Sequence, residues 1–282
     1  MSDPTERVAG RAPLDTATPE VVEPGVAAML GRQLDYWWTV FRRTWKGSVV
    51  SYFLQPWLYI AAMGLLLGGY IDDASSGVGG APTYLDFIAP GLLAATAMQV
   101  ATGEVMWPVM GALKWDKTYY GMIATPLRVV DIVAGHLAFA MFRVASAAVV
   151  FVLALAVIGI FSSPLGLLAS LGSALLVGLA FATPVYAFSA GARSEQGFAL
   201  IYRLGVMPMF LFSGAFFPVS NLSEPLEWMA RLTPLWHGVE LCRMGSLETW
   251  DSTAVVHVTY LLVLAALGCW FAVRRLRSRL VV

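Results

Sequence analysis

Ionisable side chains set among apolar ones are the first place to look for chemistry, because a charge in a membrane segment is costly and usually marks a function. The candidates are Glu104, His136, Arg143 and Arg203. They fit no common catalytic constellation. His136, His237 and His257 fall on three separate elements, and each reads as a packing or interfacial histidine rather than a ligand. There is no HExxH, no CxxC and no GxSxG. There is no GxxxxGK[ST] either, and Lys46-Gly47-Ser48 lacks the glycine and the strand that would make it a phosphate loop. The chain offers no catalytic, cofactor-binding or metal-binding set. Two roles stay open for Glu104, Arg143 and Arg203: internal salt bridging, or the lining of a cytoplasmic vestibule. Val144 to Phe161 is an apolar run of about 18 residues, close to a full span, so Arg143 can sit at its edge and snorkel.

Composition says what must position such groups. Of 282 residues, 58% are hydrophobic and 13% charged, with mean hydropathy +0.70. A soluble domain is about half apolar and about a quarter charged. This is an all-α, polytopic membrane protein. A net charge of zero without a basic domain gives no reason to expect nucleic acid. Cys242 and Cys269 supply no disulfide framework. Arginine far outnumbers lysine, which with abundant Ala, Gly and Val points to a GC-rich bacterial genome.

Residues 1–25 are polar, carry Pro4, Pro13, Pro19 and Pro24, and lack the apolar core of a signal peptide. They read as a disordered cytoplasmic tail, followed by one transmembrane domain over 26–282. Over 26–46, Leu30, Leu34, Trp37, Phe41 and Trp45 recur on one helical face, with Arg32, Arg42, Arg43 and Lys46 among the other positions. That pattern describes an amphipathic helix in the membrane surface, or one packed on a soluble partner. Six apolar stretches follow, at about 49–70, 84–111, 132–161, 165–188, 199–217 and 254–273, each long enough for a hydrocarbon core of about 30 Å. With both termini inside, every Lys and Arg except Arg231 and Arg243 falls on the cytoplasmic side or in the cytoplasmic part of a span.

Two connections are unusual. Between the second and third spans, Leu113–Asp131 carries Trp115, Tyr119 and Met122 at roughly one-turn spacing, among Lys114, Asp116, Lys117, Arg128 and Asp131. Pro126 ends this short helix. It is either a solvated interfacial loop or a docking element for a soluble partner. Before the sixth span, Pro218–Thr253 is too apolar for an ordinary loop. Ser223 with Pro225, and Thr233 with Pro234, supply two helix starts, and Gly245 a stop. These predict a re-entrant helical hairpin, the alternative being a helical loop on the surface.

Three stretches carry a family resemblance: RRTWKGSVVSYFLQPWLYIAAMGLLLG at Arg42–Gly68, LKWDKTYYGMIATPLRVVDIVAGHL at Leu113–Leu137, and FSGAFFPVSNLSEPLEWMARLTPLWHGVELCR at Phe212–Arg243. The chain resembles ABC-2 type permease subunits, and among them the lipo-oligosaccharide (nodulation-factor) and drug-resistance export permeases. The resemblance covers about Leu30 to Arg279 and implies a fold of six spans with an interfacial helix, a cytoplasmic coupling helix between spans two and three, and a re-entrant hairpin before span six. It implies pairing with a second permease copy or a paralogue, and docking of a separate P-loop ATPase, two copies per transporter, which holds the ATP and Mg. The residues it singles out for ATPase coupling are Lys114, Trp115, Asp116, Lys117, Tyr119 and Tyr120. Those of the interfacial helix are Trp37, Phe41, Arg42, Arg43 and Trp45. Those of a gate at the hairpin are Phe216, Phe217, Pro218, Trp228, Thr233, Pro234, Trp236 and His237. The implied activity is outward movement of a lipid-linked, glycolipid or amphiphilic drug-like substrate. A secondary transporter or channel would carry its own charge relay and often an inverted repeat. A membrane enzyme acting on a lipid carrier would need clustered carboxylates or histidines. Neither pattern is evident.

Overall fold

The structure, a computed structural model, describes residues 26–69, 71 and 77–281. The expected tail over 1–25 and part of the glycine-rich connection after the first span lie outside the described residues. The described regular structure is helical. Four helices are long and apolar enough to cross a membrane: α2 (Tyr84–Lys114), α4 (Val129–Val157), α5 (Pro164–Gly191) and α9 (Thr253–Leu280). They coincide with the second, third, fourth and sixth apolar stretches. Their starts follow local chemistry. The Thr83 hydroxyl accepts from the Asp86 amide while Asp86 accepts from the Thr83 amide, a reciprocal cap on α2. Ser163 caps α5, with Pro164 in the first turn where its missing N–H costs nothing.

The other two stretches differ in form. α1 (Val26–Tyr59) continues as π-helical turns over Ile60–Leu67. The surface helix and first span read from the sequence are therefore one unbroken helix, because a lone Gly47 weakens a helix without stopping it. α6 (Gln196–Phe212) contains π-helical turns over Tyr202–Val206. It stops short of residue 217 because the chain turns at Gly214, whose φ of +81° is open to glycine at little cost.

α2 is the hub. It packs against α4, α5 and α8, and residues on nearly all its faces are buried. α1 lies along α4, and α9 along α5. Two short helices precede α9: α7 (Glu224–Arg231) and α8 (Pro234–Leu247). Thr233-Pro234 starts α8 as its sequence indicates, but the helix runs past Gly245 and ends on Glu248 in the left-handed region. Gly245 is instead a contact. A Cβ there would sit 2.9 Å from the Ser170 amide nitrogen, so its absence lets α8 approach the α5 backbone.

Candidate coupling site

The link between α2 and α4 is tighter than one amphipathic helix. α2 extends to Lys114, and Trp115 caps its C-terminus. Lys117 then adopts φ +53°, a left-handed conformation that disfavours side chains with a Cβ, and turns the chain sharply. α3 (Thr118–Ile123) follows. This break separates two aromatic residues that a continuous helix would place on one face. Trp115 is 51% exposed, whereas Tyr119 is 1% exposed. Tyr119 is thus removed from the expected docking stripe and belongs to the core.

Inside, Tyr119 sits in a directional chain of hydrogen bonds. Tyr186 of α5 donates to the Tyr119 oxygen at 3.0 Å. The Tyr119 hydroxyl bonds His136 Nδ1. His136 Nε2 lies 3.1 Å from the main-chain oxygen of Glu104, which can only accept. Nε2 therefore carries the proton, and Nδ1 of the neutral ring accepts from Tyr119. Burial, with Tyr186 alongside, pushes the Tyr119 phenol well above its ordinary pKa, so it stays a donor. One ring thus joins α2, α3, α4 and α5. Glu104 adds a second link, since its carboxylate pairs with Arg143 at 2.9 Å, largely out of solvent. The pair is a salt bridge within the chain, between α4 and α2. Arg203 lies apart on the exposed face of α6, in a cleft with Trp107 and Glu195.

The N-terminal helix meets the same cluster. Trp37 stacks on Phe139 at 4.7 Å and lies 4.4 Å from His136. Phe41 meets Phe142 edge-on at 5.1 Å. This part of the apolar stripe is used within the chain, against α4. Arg42, Arg43 and Trp45 remain exposed. Outside the junction, Trp115 lies parallel to Trp107 at 6.5 Å, and Asp116, Lys117 and Tyr120 are exposed beside it. Lys114 pairs with Glu195 at 3.0 Å, but both are nearly half exposed, so the bond is worth under about 1 kcal/mol.

At the other end of the bundle, the predicted gate residues part company. Trp228 on α7 is 62% exposed, and Phe217 and Pro218 are half-buried. Phe216 is held through its carbonyl by the Tyr84 hydroxyl at 3.1 Å. Thr233 and Pro234 begin α8, and Trp236 and His237 turn inward. His237 Nδ1 lies 2.6 Å from His257 Nδ1 and its ring stacks on Tyr260 at 4.0 Å. Arg243, an exception to the charge pattern in the sequence, is buried. Its guanidinium donates to the Gly214 carbonyl at 2.9 Å and to Glu240 at 2.8 Å, and lies 4.0 Å over the Phe87 ring. Sequence reasoning treated the histidines as scattered. His237 and His257 are twenty residues apart on different helices, and no local spacing announces that they meet.

Among the described residues, no three His, Cys, Asp or Glu side chains are placed to hold a metal. Long apolar helices, with a polar junction at one end and an exposed indole beside it, define a helical membrane protein. The family model for ABC-2 type transporters matches residues 34–247, and the chain belongs to that family. It is a multi-pass membrane permease domain, the non-catalytic part of such a transporter. It is 32% identical to nodulation protein J of Rhizobium leguminosarum bv. trifolii over 90% of this chain and 97% of the relative. It is 30% identical to nodulation protein J of Sinorhizobium fredii over the same shares, and 28% identical to that of Bradyrhizobium diazoefficiens over 92% and 99%.

Proposed function

We propose that the chain is the permease subunit of an ATP-driven exporter in the bacterial inner membrane, with α1 and α6 completing six spans and both termini cytoplasmic. The substrate class is an amphiphile with a sugar or other polar head on a lipid tail, as in lipo-oligosaccharides. Two permeases pair, and each docks one ATPase subunit that holds the ATP and magnesium. The observation that carries this reading is the exposed Trp115, flanked by Lys114, Asp116, Lys117 and Tyr120, at the polar hinge of an ABC-2 membrane domain. An exposed indole ringed by charges suits a protein partner, with the ring as anchor and the charges as orienting rim.

The mechanism follows from the junction. Closure of the ATPase pair displaces α3. Tyr119 carries that displacement to His136 and Tyr186, and so to α2, α4 and α5 together. The test is co-purification of a P-loop ATPase with the tagged permease. Trp115→Ala combined with Tyr120→Ala should cost at least ~2 kcal/mol of binding, the scale of an aromatic hot spot. Full ATPase recovery and full transport by that variant would remove the docking role.

A further inference from the structure

We propose that the groove between α5 and α9 is a binding site for an anionic phospholipid. The trough has a volume of about 450 Å³, within the range of small-ligand sites. Its walls are Pro184, Ala187 and Phe188 from α5 and Leu264, Leu267 and Phe271 from α9. Leu267 and Phe271 are about half exposed, so the trough opens sideways to whatever surrounds the helices. Arg275 closes one end and is the only charged residue in its lining among the described residues.

Three observations converge on a lipid. The first is length. From Leu264 to Arg275 a helix rises about 16 Å at 1.5 Å per residue, half of a hydrocarbon core about 30 Å thick. The groove therefore runs the depth of one leaflet. The second is charge. The Arg275 guanidinium has no ion-pair or hydrogen-bond partner among the described residues. Its neighbour Arg279 is committed, donating to the Ala190 and Ala192 carbonyls at 3.1 and 2.8 Å at the end of α5. Arg274 is committed too, stacked over Trp270 at 5.3 Å. Arg277 is also without a partner among the described residues, but it lines a separate cleft with Arg274, so Arg275 is the cation that this groove offers to an anion. The third is access. Gly191 faces the guanidinium, and a Cβ there would sit 2.7 Å from Nη1. Its absence lets the side chain lie flat across the groove mouth. An acyl chain in the trough and a phosphate on Arg275 satisfy all three. Basic pockets between helices at a membrane face hold anionic head groups in this way.

The inference needs only that the chain is membrane-embedded, and stands apart from the ATPase and export reading. The experiment is native mass spectrometry of the delipidated, full-length permease titrated with phosphatidylglycerol, phosphatidylcholine or inorganic phosphate. Phosphatidylglycerol should bind with preference, and Arg275→Gln should weaken it about fivefold, the worth of one basic residue at an anionic surface. Arg275→Lys should restore most of that loss, showing that it follows the charge, and an unchanged thermal transition of Arg275→Gln should show that this variant is folded. Arg277→Gln removes the same charge from a different cleft and should change little. Ala187→Trp should fill the trough and abolish retention without changing the oligomeric mass. Equal loss in Arg275→Gln and Arg277→Gln would mean diffuse attraction and overturn the site. So would equal binding of phosphatidylcholine, or full competition by phosphate alone. Loss of the oligomer in Ala187→Trp would give the groove to a second copy of the chain and overturn the lipid.

Discussion

Two short helices lie at opposite ends of the bundle, and each meets a buried histidine, yet they are held in different ways. α3 is six residues long, and Tyr119 is its one buried residue. α8 is fourteen residues long and buries ten of them, wedged against α2, α5 and α9. α3 is thus held mainly at one point, the Tyr119 phenol, with Met122 and Ile123 packed half-buried beside it and Met122 accepting from Gln33 of α1, whereas α8 is attached along its length. An element held at a point can pivot while staying linked, which suits transmission of a push. An element held along its length moves only if the core repacks, and packed cores resist that. The exposed half of the hairpin is α7, where only Ala230 is buried. The part of this pair with least to hold it is therefore α7 with Trp228, and Trp236 and His237 belong to the better-packed α8.

The largest expected effect breaks the comparison at α3. Tyr119→Ala leaves a cavity and strands His136 Nδ1 and the Tyr186 hydroxyl. Its cost should be about 3–5 kcal/mol, as for other buried aromatic truncations. Trp115→Ala, four residues away but exposed, should change stability by no more than about 0.5 kcal/mol. Thermal unfolding of the two purified variants side by side decides it. Equal losses would mean that Tyr119 is no anchor.

A smaller effect is expected at the other end. Arg243→Met keeps the bulk over Phe87 but removes the donors to Gly214 and Glu240. Because hydrogen bonds from a charged group are worth about 1.5–3 kcal/mol, the loss should be about 2–3 kcal/mol. The turn at Ser213–Gly214 should loosen first, read as faster amide exchange there than in α8. Uniform exchange through both would show that Arg243 does not pin the turn.

Much of this layout was legible in the sequence because membrane helices announce themselves by length and apolarity. The stretches at 84–111, 132–161, 165–188 and 254–273 needed no tertiary information. Thr233-Pro234 was legible for a local reason, since a cap and the proline after it act within one turn. Tyr119 was not. A spacing of four places Trp115 and Tyr119 on one face only if the helix is continuous, and the left-handed turn at Lys117 breaks it. A lysine carries no signal for that conformation, as a glycine would. Salt bridging of Glu104 and Arg143 was foreseeable, but which partner each takes needed the distance. The pairing of His237 with His257 depends on how α8 seats against α9, which periodicity does not report.

The smallest effect tests how far α8 is separable from α7. The Thr233 hydroxyl accepts from the Trp236 amide at 3.3 Å and donates to the Ala230 carbonyl at 2.6 Å. It therefore closes the last turn of α7 and the first turn of α8 at once. Thr233→Ala should cost roughly 1 kcal/mol, the usual value of an N-cap, because ten buried residues still hold α8 in place. α7 has less to lose before it opens. Besides its own turns it keeps the bond from the Tyr260 hydroxyl to the Leu232 carbonyl at 2.7 Å. The change should therefore appear as faster amide exchange confined to α7, with α8 and α9 nearly unaltered, and Thr233→Ser should reverse it. Exchange rising equally across α7, α8 and α9 would mean that the hairpin opens as one unit, and the division between a fixed α8 and a movable α7 would fall.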